Sequence, residues 1–208
     1  QAGPVQALDR GPDAPACLLA DFDRGDAGWQ ADTEIFAPAL SVKYLPATDP
    51  AGYLDAAVAF ANDRLYGTLG ANLLIHPKTR RQMGARFETA LQRLHYGCIA
   101  INAWTGLGFL LAAVPWGGFA GATLQDVQSG IGTVHNCLLL EGTERTVVEA
   151  PWAPFPRSLL SGRPTLLPRP PWFVTNRRQD RTARLLTGFA HHPRWWKLPA
   201  IVWSALRG

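Results

Sequence analysis

The chain has 208 residues, 47% hydrophobic and 17% charged, with a net charge of +4, a balance that excludes disordered and collagen-like chains. Its longest apolar stretch, at 107–114, is interrupted by Gly108 and falls far short of the ~20 residues a membrane-spanning helix needs, so a soluble or peripheral protein is expected. Charge is divided unevenly: residues 1–150 hold 10 basic and 15 acidic side chains, whereas 151–208 hold 10 basic ones and a single acid, Asp180.

The opening has neither the basic start nor the apolar stretch of a secretory signal, and the only methionine is Met83, so a start cut from a longer chain is expected. Three cysteines without repeating spacing suit a reducing, cytoplasmic setting better than a disulfide framework. The first thirty residues, rich in Gly, Pro, Ala and Asp, leave room for at best one strand, near Cys17-Leu18-Leu19. Alternation predicts a strand over 39–45. Asp49 followed by Pro50 reads as an N-cap with proline in the first helical position, opening a helix over 50–66. Leu54, Val58, Ala61 and Leu65 fall on one face of it, and Gly67 is a terminator. A buried strand at 69–75 follows. A second helix from 78 to 96 carries Met83, Phe87, Leu91 and Leu94 on one stripe and stops at Gly97, before an apolar strand at 98–102. This alternation predicts an α/β fold with the three strands in one parallel sheet and the two helices as crossovers.

From 105 to 132 seven glycines and weak periodicity predict a long loop. Residues 134–140 read as a further strand. After Pro151, prolines at 154, 156, 164, 168, 170 and 171 oppose regular structure until a helix from Arg178 to about Leu186. Two regions result: 1–150, the α/β portion, and 151–208, a basic tail rich in proline and tryptophan, with five of the eight tryptophans.

Gly106-Leu107-Gly108 and Gly130-Ile131-Gly132 lack the strand-to-helix setting and third glycine of a dinucleotide loop, and read as turn glycines. His95 with Cys98, and His135 with Cys137, lack the spacing of common zinc sites, so no metal site is assigned. His191 and His192 read as a surface feature. Five segments carry more information when taken in order: Thr33-Glu34-Ile35-Phe36-Ala37-Pro38; 60–69, ending in Leu65-Tyr66-Gly67-Thr68-Leu69; Tyr96-Gly97-Cys98-Ile99-Ala100-Ile101-Asn102; Pro115-Trp116-Gly117-Gly118; and Ser129-Gly130-Ile131-Gly132. Together they resemble the C-terminal part of the aldehyde dehydrogenase superfamily, over about residues 30–136.

That resemblance implies binding of NAD or NADP, with Glu34 accepting from the nicotinamide ribose hydroxyls and Phe36 packing near the nicotinamide. An ionised carboxylate is acceptor-only and so matches a vicinal diol. Asn102, Gly117 and Gly118 would be structural, the asparagine tying loop backbone. The departures are Ala37 in place of a glycine and a longer stretch between Gly118 and Ser129. The family's nucleophile stands in a Gly-Gln-x-x-Cys-like context well upstream of the Glu-x-Phe element, and Cys17, 17 residues before Glu34, lacks that context. No catalytic residue is assigned here: the nucleophile, general base and oxyanion-hole asparagine would lie in an upstream half of the enzyme. That half is the expected partner, alongside the nicotinamide cofactor and a possible second copy of the chain. Cys98 and Cys137 fall in predicted apolar strands, where burial keeps a thiol protonated. A rival reading makes the basic Trp-rich tail a binder of an anionic membrane surface or nucleic acid, while the plainer expectation docks its tryptophans as anchors on the protein's own surface.

Overall fold

The computed structural model describes residues 5–8, 17–24, 27–153 and 177–207. The chain divides into two units, one made of 1–101 and 105–148 and the other of 102–104 and 149–208. The prolines from 154 to 171 lie outside the described residues.

The first unit opens with two strands where at most one was expected. β1 (Val5–Leu8) runs antiparallel to β2 (Cys17–Asp21), and β2 runs parallel to β3 (Ala39–Val42), with Leu18 opposite Ala39. A short 3-10 turn at Phe22–Arg24 and helix α1 (Ala27–Asp32) lie between β2 and β3. Four- and five-residue strands are too short for alternation to stand out against a Gly/Pro background. Buried Gln30 holds this layer together by accepting from the Ser41 hydroxyl at 2.7 Å, and Phe22 meets Phe60 edge-on at 5.2 Å.

α2 (Pro50–Arg64) forms as its cap dictates. The Asp49 carboxylate accepts from the amides of Ala51 and Gly52, each at 2.9 Å, and Pro50 occupies a position whose missing N–H costs nothing. The helix expected at 78–96 is two helices, α3 (Pro77–Met83) and α4 (Ala85–Arg93), broken at Gly84 with φ 54° and ψ −132°. The apolar stripe survives the break: Met83, Phe87 and Leu91, with Leu94 beyond the helix, are all buried. They pack with Val58, Ile99 and Ile101, and burying each large side chain contributes roughly 1.5–3 kcal/mol.

β4 (Gly70–Leu73) pairs in parallel with β5 (Cys98–Ile101), Gly70 opposite Cys98, with α3 and α4 forming the crossover. The second sheet has the order β4-β5-β8, the last strand being Thr146–Glu149. Every residue of central β5 is buried, as a continuous apolar run between two neighbours should be. The fold is mixed α/β with small parallel pairings flanked by helices, but the expected single sheet is divided. β3 belongs to the first sheet because β2, concealed in the Gly/Pro-rich opening, satisfies its ladder, so α2 links two sheets and is not a crossover within one.

The stretch expected to be one long loop contains α5 (Gly106–Leu110) and β6 (Trp116–Gly117), the latter paired antiparallel with β7 (Thr133–Val134). The strand expected at 134–140 ends at Val134, because His135 and Asn136 turn to φ 60° and 49°. In the second unit, α6 (Gln179–His191) runs five residues past its expected end and is followed by a 3-10 turn at Trp195–Lys197 and α7 (Leu198–Leu206). Among the described residues no helix is long and apolar enough to cross a membrane.

Candidate functional site

Thr68 is the point at which the loops of the first unit converge. It lies in the extended link between α2 and β4, after Gly67, whose φ of +94° a β-carbon would oppose. The Thr68 amide donates to the Ser129 hydroxyl at 2.7 Å, and its carbonyl accepts from the Gly97 and Phe119 amides at 2.8 and 3.1 Å. The Gly67 amide donates to Gln128 Oε1 at 2.9 Å, and Gln128 Nε2 is held by Asp126. Gly97 meets Gly118 backbone so closely that a β-carbon there would stand 2.7 Å from the Gly118 carbonyl carbon. Segments around positions 67, 97, 118 and 129 therefore form one knot, in which backbone meets backbone where side chains are absent.

On one side of the knot lies a cleft of about 760 Å³, walled by the exit of α1 from Gln30 to Glu34, the end of α2 at Leu65, Tyr66 and Gly67, and Tyr96, Gln128 and Ser129. The α1 exit is tied to this wall by the Tyr66 amide, which donates to Ala31 O at 3.0 Å. Glu34 is exposed at the cleft, and no arginine pairs with it among the described residues. Tyr96 is buried, and that burial pushes its phenol above the ordinary range, so it stays protonated at neutral pH. Glu34 thus offers acceptor oxygens beside Tyr66, which is half exposed. Phe36, 91% exposed, does not line the cleft. The chain brings one of the two expected cofactor contacts to this site and leaves the other pointing to solvent.

The thiols separate differently than expected. Cys98 is fully buried, its Sγ donates to Thr105 O at 3.6 Å, and desolvation raises its pKa. Cys137 is exposed in a turn beyond β7, not in an apolar strand, because the left-handed residues at 135 and 136 end that strand first. Cys17 begins β2 and is partly exposed. None of the three is placed in the cleft. His95 stacks on Phe119 at 4.9 Å and His135 leans on Phe109 at 5.3 Å, each ring in its own aromatic setting.

Two asparagines to which the sequence assigns no individual role act as anchors, Asn62 within the 60–69 segment and Asn72. Asn62 closes the C-terminus of α4: its Nδ2 donates to Arg93 O at 2.7 Å, and its Oδ1 accepts from the His95 amide at 2.9 Å. Asn72 Oδ1 accepts from the Thr105 amide at 2.9 Å and so ties the loop after β5, where Asn102 turns the chain with φ 55°. No family profile, curated protein or solved structure matches the chain.

Proposed function

We propose that residues 1–150 are the C-terminal part of the catalytic domain of an NAD(P)-dependent aldehyde dehydrogenase, and that the Glu34 cleft receives the nicotinamide ribose. The observation that carries this reading is the convergence at Thr68. Four of the segments that resemble the family, separated by up to about sixty residues, are knotted by backbone hydrogen bonds and the Ser129 hydroxyl, and the fifth lends Glu34 to the cleft beside them. A carboxylate at an open cleft can accept from two ribose hydroxyls, while a protonated buried phenol and backbone glycines shape the wall. Aldehyde oxidation in such an enzyme needs a thiolate nucleophile, and none of the three cysteines here is placed to serve this cleft. The chain would then act with an upstream half that supplies the nucleophile and the dinucleotide-binding domain, and its turn at Ala37 and extended 118–129 loop would reshape the substrate mouth.

The test has two arms. Saturation-transfer NMR with NAD should show weak binding through the ribose protons that Glu34→Gln abolishes; binding indifferent to that change would sink the cofactor role. Expression with and without the upstream coding region, assayed for NADH formation on a panel of aldehydes, should give turnover only in the longer form. Turnover by the 208-residue chain that vanishes in Cys17→Ser would overturn the reading.

A further inference from the structure

We infer that the α6–α7 hairpin is a docking surface for an anionic lipid bilayer. α7 is two-sided in packing and, Ser204 apart, apolar on both sides. Its inner side carries Ile201 and Ser204, both buried, and the Thr182 hydroxyl of α6 donates to the Ser204 hydroxyl at 3.0 Å. Its outer side carries Pro199, Val202 and Trp203 at helical spacing, all exposed. A helix apolar all round belongs against a second apolar phase on its outer side.

The flanking residues indicate which phase. Trp195 and Trp196, in the 3-10 turn leading into α7, are 84% and 70% exposed, and Trp203 is 57% exposed. Indole rings with one apolar face and one N–H donor favour the boundary between headgroups and acyl chains. The surrounding sequence is strongly basic: residues 177–207 contain seven basic side chains and one acid, Asp180. Arg194 and Arg207 are exposed, and the Arg207 guanidinium lies 4.5 Å from the Trp203 ring. The Lys197 ammonium has a local task, donating to Gly188 O and His192 O at 2.7 and 2.9 Å to close the end of α6. Aromatic and aliphatic side chains on one face with cations beside them describe a helix lying in the plane of an anionic interface. A nucleic acid could use the arginines and the indoles but gives Val202 and Pro199 no apolar phase to enter.

Co-sedimentation of the full chain with phosphatidylcholine vesicles, with and without one-third phosphatidylserine, tests this directly. The chain should sediment with the anionic vesicles, with its tryptophan emission shifted to the blue, and leave the neutral ones largely unbound. Each cation near the surface adds roughly fivefold in partitioning, so Arg194→Gln with Arg207→Gln should lower it by roughly twenty-five-fold at low salt and less at high salt. Trp195→Ser with Trp196→Ser, outside the helix and largely exposed, should lower it by a similar factor with circular dichroism unchanged. Absence of vesicle binding, equal binding to both lipids, retention of binding in the tryptophan variant, or binding to single-stranded DNA in place of vesicles would each overturn the proposal.

Discussion

Replacing Gly97 by alanine tests the knot at its tightest point. The residue has no positive φ, so alanine suffers no backbone penalty of its own; the cost is purely one of space. Its β-carbon would lie 2.7 and 2.8 Å from the carbonyl carbon and oxygen of Gly118 and closer still to Gly117 O. Ordinary contact begins near 3.4 Å, and the nearest atom, Gly117 O, sets the shift, so the facing strand must retreat by more than about 1 Å. No rotamer change relieves this, because every clashing atom is backbone. The retreating segment is itself pinned, by the β6–β7 pairing and by the Phe119 amide on Thr68. Overpacking of about 1–3 kcal/mol, together with one or two strained hydrogen bonds at about 1 kcal/mol each, gives a loss of roughly 3 kcal/mol or more. For a chain of this size that lowers the thermal midpoint by about 10 °C. Gly188→Ala is the matched control: nothing lies within 4 Å of its β-carbon in α6, so it should be neutral or stabilising by about 0.5–1 kcal/mol. Urea unfolding followed by tryptophan fluorescence reads both variants. A Gly97→Ala protein within about 1 kcal/mol of the parent would mean that the glycines at 97, 117 and 118 do not meet as described.

Asn62→Ala should cost about 1 kcal/mol in urea unfolding, since water replaces part of two exposed hydrogen bonds, and should speed hydrogen exchange at the His95 amide. An unchanged exchange rate there would contradict the capping role. The Asp49 carboxyl is held below its ordinary value chiefly by the Gly52 amide, with desolvation opposing and the Ala51 amide and Arg86 adding to the shift. Its contribution to α2 is therefore full above the unfolded value near 3.9 and is lost as pH falls through the lower folded one. Circular dichroism during acid titration should show a transition that Asp49→Asn, which caps without titrating, makes less steep; an identical profile in the variant would count against it. An aromatic disulfide reagent at neutral pH should modify Cys137 quickly and Cys98 only after unfolding, and equal rates on both in the native protein would contradict their placement.

Local chemistry was legible wherever a single residue decides a conformation. Asp49 and Pro50 announce the start of α2, the stripe through Phe87 and Leu91 announces the buried side of α4, and the unbroken apolar run at 98–101 announces a central strand. What stayed hidden depends on partners far along the chain. β3 looks like a member of the β4–β5 sheet until β2 is known to occupy its edge. Gly84 interrupts the second helix without interrupting its stripe, so periodicity runs straight across the break. Gly67 and the run from Leu65 to Leu69 mark the place in the sequence, but the bonding role of Thr68 exists only because three loops arrive beside it. Of the two expected cofactor contacts, Glu34 reaches the cleft through the backbone tie between Tyr66 and Ala31, a long-range bond that the composition of a loop does not reveal.

Arg145 and Thr146 arrive about 45 residues after β5 has ended, and they complete two structures at once. The Arg145 guanidinium takes up the Leu91 and Leu94 carbonyls at 2.6 and 2.8 Å, Thr146 donates its amide to Gly97 O and its hydroxyl to Pro115 O, and β8 begins there. During synthesis at roughly 5–20 residues per second, the outer edge of β5 and the last carbonyls of α4 wait some seconds for these partners. The nascent chain thus passes through a stage in which its most apolar strand is paired on one side only. That interval is when a chaperone would have most to shield, and a pause in translation just before residue 145 would prolong it.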